Sequence, residues 1–357
     1  MQKTSVLSHR QFLKLDKNHE EAARAAKLLY ISDSVTGIIR LKKGKGYEYS
    51  LGGKMIKDRD QLERIRKLAI PPSWSKVWIC AKANGHIQAT GIDLNGRKQY
   101  RYHHEWNKLR ADTKFHRLFE FGKVLPRLRR RIRRDMNSKG LSESKVLATV
   151  IDLMEKTYIR IGNNGYEKLY GSYGLTTLKD KHVTLKNENI SFTFTGKKGV
   201  AHNISIRDKK LARIIKQCRD IPGKELFQYY TENGEKRCID SGMVNNYIKQ
   251  ATNGEFTTKD FRTWAGSLHA LQVLRTLELP QTEADLRKNI VTVLDAVSNK
   301  LGNTRNICKK YYVHPGLIQL YEERKLTDGL MAGNPATHSG LGVEERILMQ
   351  VIKKSLS

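Results

Sequence analysis

Two Asn-Gly pairs, Asn84-Gly85 and Asn95-Gly96, punctuate a series of short runs rich in β-branched and aromatic residues: KVWICAKA, HIQATGID and KQYRYHH. Asn and Gly tolerate the positive φ that tight hairpins demand, so such pairs between alternating runs commit the chain to antiparallel strands. The run IIRLKKGKGYEYS upstream has the same texture, and Gly37 to His103 therefore reads as strands joined by Gly turns. One helix, Asp58 to Leu68, is expected among them and is stopped by Pro71-Pro72. Ahead of the strands, HEEAARAAKLLY (His19 to Tyr30) reads as a short Ala-rich helix, and the polar opening segment as frayed. Residues 1–105 are thus expected to form a small, mainly β N-terminal domain.

Beyond Gly140 the apolar period changes from two to that of a helix. Ser142 is placed to cap a helix carrying Val146, Leu147, Val150, Ile151 and Met154 on one face. A hairpin follows, Ile190, Phe192 and Phe194 leading through Gly196-Lys197-Lys198-Gly199 to His202, Ile204 and Ile206. Helices are expected over Asp208–Arg219 and Ser241–Gln250, from about Thr258, and over Glu283–Lys300. A Gly/Asn/Ser-rich linker, 328–342, precedes a last helix, 343–355. With 357 residues the chain suits two domains. The expected class is α+β, with a mostly helical second domain over 106–357.

Charge narrows the partner. Lys and Arg number 66 against 36 Asp and Glu, a formal charge of +30, which points to a polyanion and foremost to nucleic acid. The excess concentrates in FGKVLPRLRRRIRRDM, where Leu125, Leu128, Ile132 and Met136 recur at helical spacing with Pro126 near the expected helix start. Arg127, Arg130, Arg131 and Arg134 are candidate phosphate contacts on that helix, and Arg101 and Tyr102 candidates on the strand before it. The neighbouring aromatics fit base or sugar contacts and core packing equally well. Cys80, Cys218, Cys238 and Cys308 are scattered with no CxxC pair, which argues against zinc and a disulfide framework and suits a reducing cytoplasm. No apolar run reaches transmembrane length. With neither a GxxxxGK[ST] loop nor carboxylates at metal-ligand spacing, no ATP, metal or other cofactor is expected.

The segment LGNTRNICKKYYVHP, Leu301 to Pro315, reads as a helix of barely three turns, with Gly302 closing the helix before it, Thr304 as N-cap and Pro315 ending it after His314. A tyrosine pair on a short helix packs in most proteins. In a chain this basic it also suits a tyrosine offered to a phosphodiester. That chemistry needs the phenol deprotonated against an ordinary pKa of about 10. It needs arginines to fork onto the non-bridging oxygens, and an acid for the leaving 5′-oxygen. Arg160, Lys197 on the hairpin turn, Lys259 and Arg262 in KDFR, Asn303 and then the tyrosines occur in an order that supplies these parts.

On these motifs the chain resembles the small type IB DNA topoisomerases of bacteria and poxviruses, and is most similar to the bacterial form. The resemblance spans nearly the whole chain. It rests on Ile70 to Trp106, Phe121 to Met136, YIRIGNNGYEKLYGSYGLTTL (Tyr158 to Leu178), FTGKKG, KDFRTW and LGNTRNICKKYYVHP. It implies a two-lobed clamp on double-stranded DNA, acting as a monomer without metal or ATP, with no membrane partner, in the cytoplasm at the nucleoid. It implies transient cleavage of one strand through a 3′-phosphotyrosine, relaxation of supercoils and religation. Tyr312 matches the nucleophile, with Tyr311 as rival. Arg160 and Arg262 match the phosphate-clamping arginines, Lys197 the general acid and Lys259 an assisting basic residue. Asn303 stands where poxviral members have histidine, which implies hydrogen bonding rather than proton transfer. Tyr166, inside the Tyr158–Leu178 match, is a further expected DNA contact. Two other readings remain open: a tyrosine recombinase, which typically carries HxxR in place of this KDFR, and a non-catalytic DNA-compacting protein.

Overall fold

The computed structural model describes residues 7–44, 46–326 and 340–356. It divides into two compact units, Met1–Arg117 and Leu118–Ser357. The sequence expectation puts the change of domain at residues 105 and 106; the division between the compact units falls within one long helix.

The first unit is built on a six-stranded antiparallel sheet. Its strands are β1 (Ile38–Lys43), β2 (Gly46–Leu51), β3 (Lys54–Met55), β4 (Ser75–Ile79), β5 (Ile87–Ile92) and β6 (Lys98–Tyr102), ordered β3-β2-β1-β4-β5-β6. The Asn95-Gly96 turn forms as expected: Gly96 has φ +74°, and the Asp93 carboxylate accepts from the amides of Asn95 and Arg97. Ile38, Ile65, Val77, Ile79 and Ala89 close one core between the sheet and α3 (Arg59–Lys67). Asp58 caps α3 by accepting from the Gln61 amide.

Two expectations at the start of the chain need correction. The opening segment, expected to be frayed, contains a helix, α1 (His9–Lys17), begun by a Ser8/Gln11 capping box; residues 1–6 lie outside the described residues. The helix expected over His19–Tyr30 is shorter, α2 (His19–Ala25). Lys27 turns the chain at φ 57°, and Leu29 then exchanges backbone hydrogen bonds with the segment just before β5, donating to Asn84 and accepting from His86. That pairing competes with further helical turns and wins.

The long helix is α4 (His104–Met136), and Pro126 lies inside it rather than near its start. A mid-helix proline removes one hydrogen bond at a cost of about 3 kcal/mol. Leu118, Phe121 and Leu125 before it and Leu128, Ile132 and Met136 after it are all buried on one face. Each contributes roughly 1.5–3 kcal/mol on burial, so the face outweighs the proline.

In the second unit α4 packs with α5 (Glu143–Thr157), α7 (Lys209–Arg219), α8 (Ser241–Thr252), α9 (Thr258–Leu274) and α10 (Glu283–Leu301) around one large apolar core. A short helix, α6 (Asn164–Tyr170), buries no residue. The expected hairpin is present as β8 (Asn189–Thr195) and β9 (Ala201–Arg207), with Phe194 opposite His202. It gains a third strand, β7 (Val183–Lys186), and a separate ribbon pairs β10 (Gln228–Tyr230) with β11 (Lys236–Cys238).

The tyrosine helix, α11 (Arg305–Tyr311), is one turn shorter than expected. Thr304 caps it, but it ends before Tyr312 rather than at His314. Ser267 of α9 explains the end. Its hydroxyl donates to the Tyr312 carbonyl at 3.1 Å and accepts from the His314 amide at 2.9 Å, which takes both groups away from a helical pattern. Pro315 then opens α12 (Pro315–Glu322) at a position where its missing N–H costs nothing. The final helix, α13 (Val343–Leu356), buries Ile347, Leu348, Met349, Val351 and Ile352 in the same core. Its Glu345 carboxylate accepts from Arg129, from the Trp264 indole and from the Gly342 amide. Most of the expected linker, 328–339, lies outside the described residues.

Candidate active site

The site begins where α5 stops. Tyr158 ends that helix in the left-handed conformation, φ 58°, and its carbonyl accepts from Arg262 Nη1 at 2.7 Å. Two residues later Arg160 enters from the same turn, with its own carbonyl held by the Leu175 amide. Arg160 Nη2 donates to the Gly302 carbonyl at 3.0 Å and to Asn303 Oδ1 at 2.6 Å. Arg262, buried on α9, places Nη2 on the Leu301 carbonyl at 2.8 Å.

The two guanidinium groups therefore sit on consecutive carbonyls at the C-terminus of α10. Helix C-termini leave carbonyls without intrahelical partners and carry partial negative charge, so cations are favoured there. Gly302, at φ +58°, supplies the reversal that turns these carbonyls toward different arginines.

This pair is short of negative charge. Burial pushes the Arg160 guanidinium down to about 10, and the charge of Arg262 pushes the same way, against smaller opposing contributions from Tyr312 and Cys308. Arg262 Nε is buried with no hydrogen-bond partner among the described residues. A buried donor left unpaired costs on the order of 1–3 kcal/mol. An anion with several oxygens relieves both conditions at once.

Tyr312 follows directly. Its ring centre lies 5.2 Å from the Arg262 guanidinium carbon. Its backbone is held by the Cys308 carbonyl at 2.9 Å and by Ser267. A Cβ at Gly266 would fall 2.7 Å from the Tyr312 carbonyl oxygen, so α9 approaches Tyr312 this closely only because that residue is glycine. Tyr311 differs: it is 39% exposed, with the Lys310 ammonium 5.4 Å from its ring centre. Cys308, one turn earlier, is raised to about 11 by burial and stays a thiol.

Arg160, Arg262, Asn303 and Tyr312 thus come together. Lys197 stands apart from them, exposed at the tip of the β8–β9 hairpin, with its ammonium 5.9 Å from the Tyr166 ring centre. Lys259 is exposed on α9, one turn before Arg262. On α4, Arg127 and Arg130 are exposed, while Arg131 and Arg134 both donate to Asp135, which also accepts from Tyr247. In the N-terminal unit, Tyr102 stacks on Tyr100 with 5.8 Å between ring centres, and Arg101 donates to the Ala69 carbonyl.

Sequence reasoning passed over three residues that the structure puts at the site. Tyr158 acts through its backbone, and Ser267 carries no motif. His202 shows in sequence only as part of the strand alternation. Among the described residues no group of three or more His, Cys, Asp or Glu is placed to hold a metal ion, and no helix is long and apolar enough to cross a membrane.

Comparison with known proteins gives two family matches. A profile described as the catalytic core of eukaryotic DNA topoisomerase I matches residues 103–327, and one described as the N-terminal domain of bacterial DNA topoisomerase IB matches residues 46–93. DNA topoisomerase 1B of Acanthamoeba polyphaga mimivirus is 33% identical over 295 residues, covering 80% of this chain and 88% of the viral protein. DNA topoisomerase 1B of vaccinia virus (strain Copenhagen) is 23% identical over 249 residues, covering 67% and 73%. DNA topoisomerase 1 of rabbit fibroma virus (strain Kasza) is 25% identical over 233 residues, covering 62% and 68%.

Proposed function

The chain belongs to the type IB DNA topoisomerase family, enzymes that relax supercoiled duplex DNA by cutting and rejoining one strand, and we propose that Tyr312 is its nucleophile. In the proposed cycle the Tyr312 oxygen attacks the scissile phosphorus. An O–P bond forms to the phenol oxygen as its proton passes to solvent, the bond to the 5′-oxygen breaks, and a 3′-phosphotyrosine remains. Arg160 and Arg262 hold the non-bridging oxygens, whose charge grows in the transition state. Asn303 orients Arg160 through Oδ1 and offers its amide hydrogens to the same phosphate. Lys197 gives a proton to the departing 5′-oxygen and recovers it when that hydroxyl attacks back. The phosphotyrosine conserves the energy of the broken bond, so neither ATP nor a metal is part of the proposal.

The observation that carries this reading is the seating of two guanidinium groups on consecutive carbonyls, Leu301 and Gly302, with the Tyr312 ring 5.2 Å from one of them. Lys259, Tyr166, Arg127, Arg130, Arg131, Arg134, Arg101 and Tyr102 are proposed as DNA contacts. In this reading the β-rich N-terminal unit holds duplex DNA, the helical unit carries the chemistry, and the protein acts as a cytoplasmic, nucleoid-associated monomer.

The test is relaxation of negatively and positively supercoiled plasmid in EDTA without ATP, by wild type and Tyr312→Phe. Relaxation of both signs by wild type alone is expected. Plasmid retarded in gels yet still supercoiled in both samples would leave a DNA-binding protein without strand cleavage.

A further inference from the structure

We propose that His202 is a positioning residue for strand cleavage, its imidazole filling the gap between the root of the Lys197 hairpin and the turn that holds Arg160. This rests on the reading of Lys197 as the acid that protonates the leaving oxygen.

Two glycines define the gap. A Cβ at Gly196, the residue before Lys197, would lie 2.6 Å from both Cδ2 and Nε2 of His202. A Cβ at Gly302 would lie 3.1 Å from His202 Cε1 and 3.9 Å from Arg160 Nη1. One edge of the ring therefore abuts the hairpin root, and the next atom along abuts the residue whose carbonyl receives Arg160. The ring is fixed from behind by stacking on Phe194, its partner across the β8–β9 ladder, at 4.9 Å between centres and 21° between planes.

The rest of the hairpin tip has little to hold it. Lys197, Lys198, Gly199 and Val200 are all exposed. Backbone bonds across the turn, from Gly196 to Val200 and from Gly199 to Gly196, fix its internal shape but not its position relative to the arginine pair. The Tyr173 amide also holds the hairpin root, through the Thr195 carbonyl at 2.9 Å, and the flat ring of His202 fills the gap between Gly196 and Gly302.

Imidazole also suits the electrostatics. Burial lowers the proton affinity of His202, and the charges of Arg160 and Arg262 lower it further, which favours the neutral ring. A lysine or arginine filling the same gap would add a third cation beside two guanidinium groups that already repel one another.

The experiment compares single-turnover cleavage of two duplexes, one with the natural oxygen and one with sulfur at the 5′-bridging position of the scissile phosphate. A thiolate leaves without needing a proton, so the sulfur duplex removes the demand on Lys197. His202→Ala should cleave the oxygen duplex at least tenfold more slowly than wild type and the sulfur duplex at nearly the wild-type rate, with DNA affinity unchanged. Gly196→Ala, whose new methyl displaces the ring, should show the same pattern, and it decides the question if His202→Ala does not fold. Equal slowing on both duplexes, or no slowing on either, would overturn the proposal. Lys197→Ala run in parallel separates the two ideas. If sulfur restores Lys197→Ala but not the His202 and Gly196 variants, the positioning role fails alone. If sulfur does not restore Lys197→Ala, the general-acid reading fails with it.

Discussion

The Arg262 guanidinium faces the ring of Tyr312 at 5.2 Å while two of its nitrogens bind the carbonyls of Tyr158 and Leu301. One planar group thereby ties the end of α5, the end of α10 and the tyrosine together. In the proposed cycle, removing it takes away a transition-state donor worth about 3 kcal/mol, roughly a hundredfold in rate. Arg262→Ala should lose at least that much in single-turnover cleavage. Arg262→Lys should recover little, because one ammonium cannot span two carbonyls and still present a fork to phosphate. A lysine variant cleaving within threefold of wild type would refute the need for that geometry.

Tyr311 and Tyr312 are adjacent in sequence and unlike in surroundings. Tyr312 is held from both sides of its peptide and lies over Arg262, whereas Tyr311 is exposed beside Lys310. Tyr312→Phe should bind DNA with wild-type affinity and form no covalent adduct on a labelled duplex. Tyr311→Phe should retain cleavage within a few fold. Adduct formed by Tyr312→Phe and lost in Tyr311→Phe would reverse the assignment.

Much of this was legible because the signals are local. The Asn95-Gly96 turn, the Ser142 and Thr304 caps and the alternation of Ile190, Phe192 and Phe194 all act within a few residues, and the elements they mark are present. Pro126 was misleading because the side chains that keep α4 continuous are rewarded by distant partners. Phe121 on α4, for instance, packs edge-on against Phe256, Phe261 and Trp264. The helix expected from His19 is too long for the same reason, since Leu29 is captured by an isolated bridge to Gly85, more than fifty residues on. At the site, side chains with a chemical signature could be read, while Tyr158 contributes a carbonyl, Ser267 a helix-ending hydroxyl and Gly266 only an absence. Those roles depend on three-dimensional neighbours that no local pattern announces.

Gly266 makes the last of these testable. Glycine inside a helix costs about 1 kcal/mol relative to alanine, so on propensity alone Gly266→Ala should stabilise α9. The new methyl would instead lie 2.7 Å from the Tyr312 carbonyl oxygen and 2.9 Å from its Cβ, and α9 or the tyrosine must move. Loss of at least tenfold in cleavage rate is expected, with DNA affinity retained. Unchanged cleavage together with a raised Tm would show that the approach is not needed for chemistry.

The N-terminal unit carries a pH-dependent contact of its own. His9 on α1 and His116 on α4 face each other through their Nδ1 atoms at 3.0 Å, so one ring donates and the other accepts. Phe12 stacks on His116 at 4.0 Å. Burial, and then the proximity of His9, push His116 down to about 4 from an ordinary value of 6.5. The folded state therefore binds this proton less readily than the unfolded chain does. The contribution of neutral His116 is complete above pH 6.5 and is lost progressively as pH falls from 6.5 toward 4. Hydrogen exchange of the His9–Lys17 helix, corrected for intrinsic rates, should show less protection at pH 5 than at pH 7. His116→Phe keeps the stacking surface for Phe12 and removes the titrating group, so protection in that variant should not change between the two values. A wild-type helix equally protected at both would mean that α1 is held by its other contacts, chief among them Asp16 with Arg110 and Arg117.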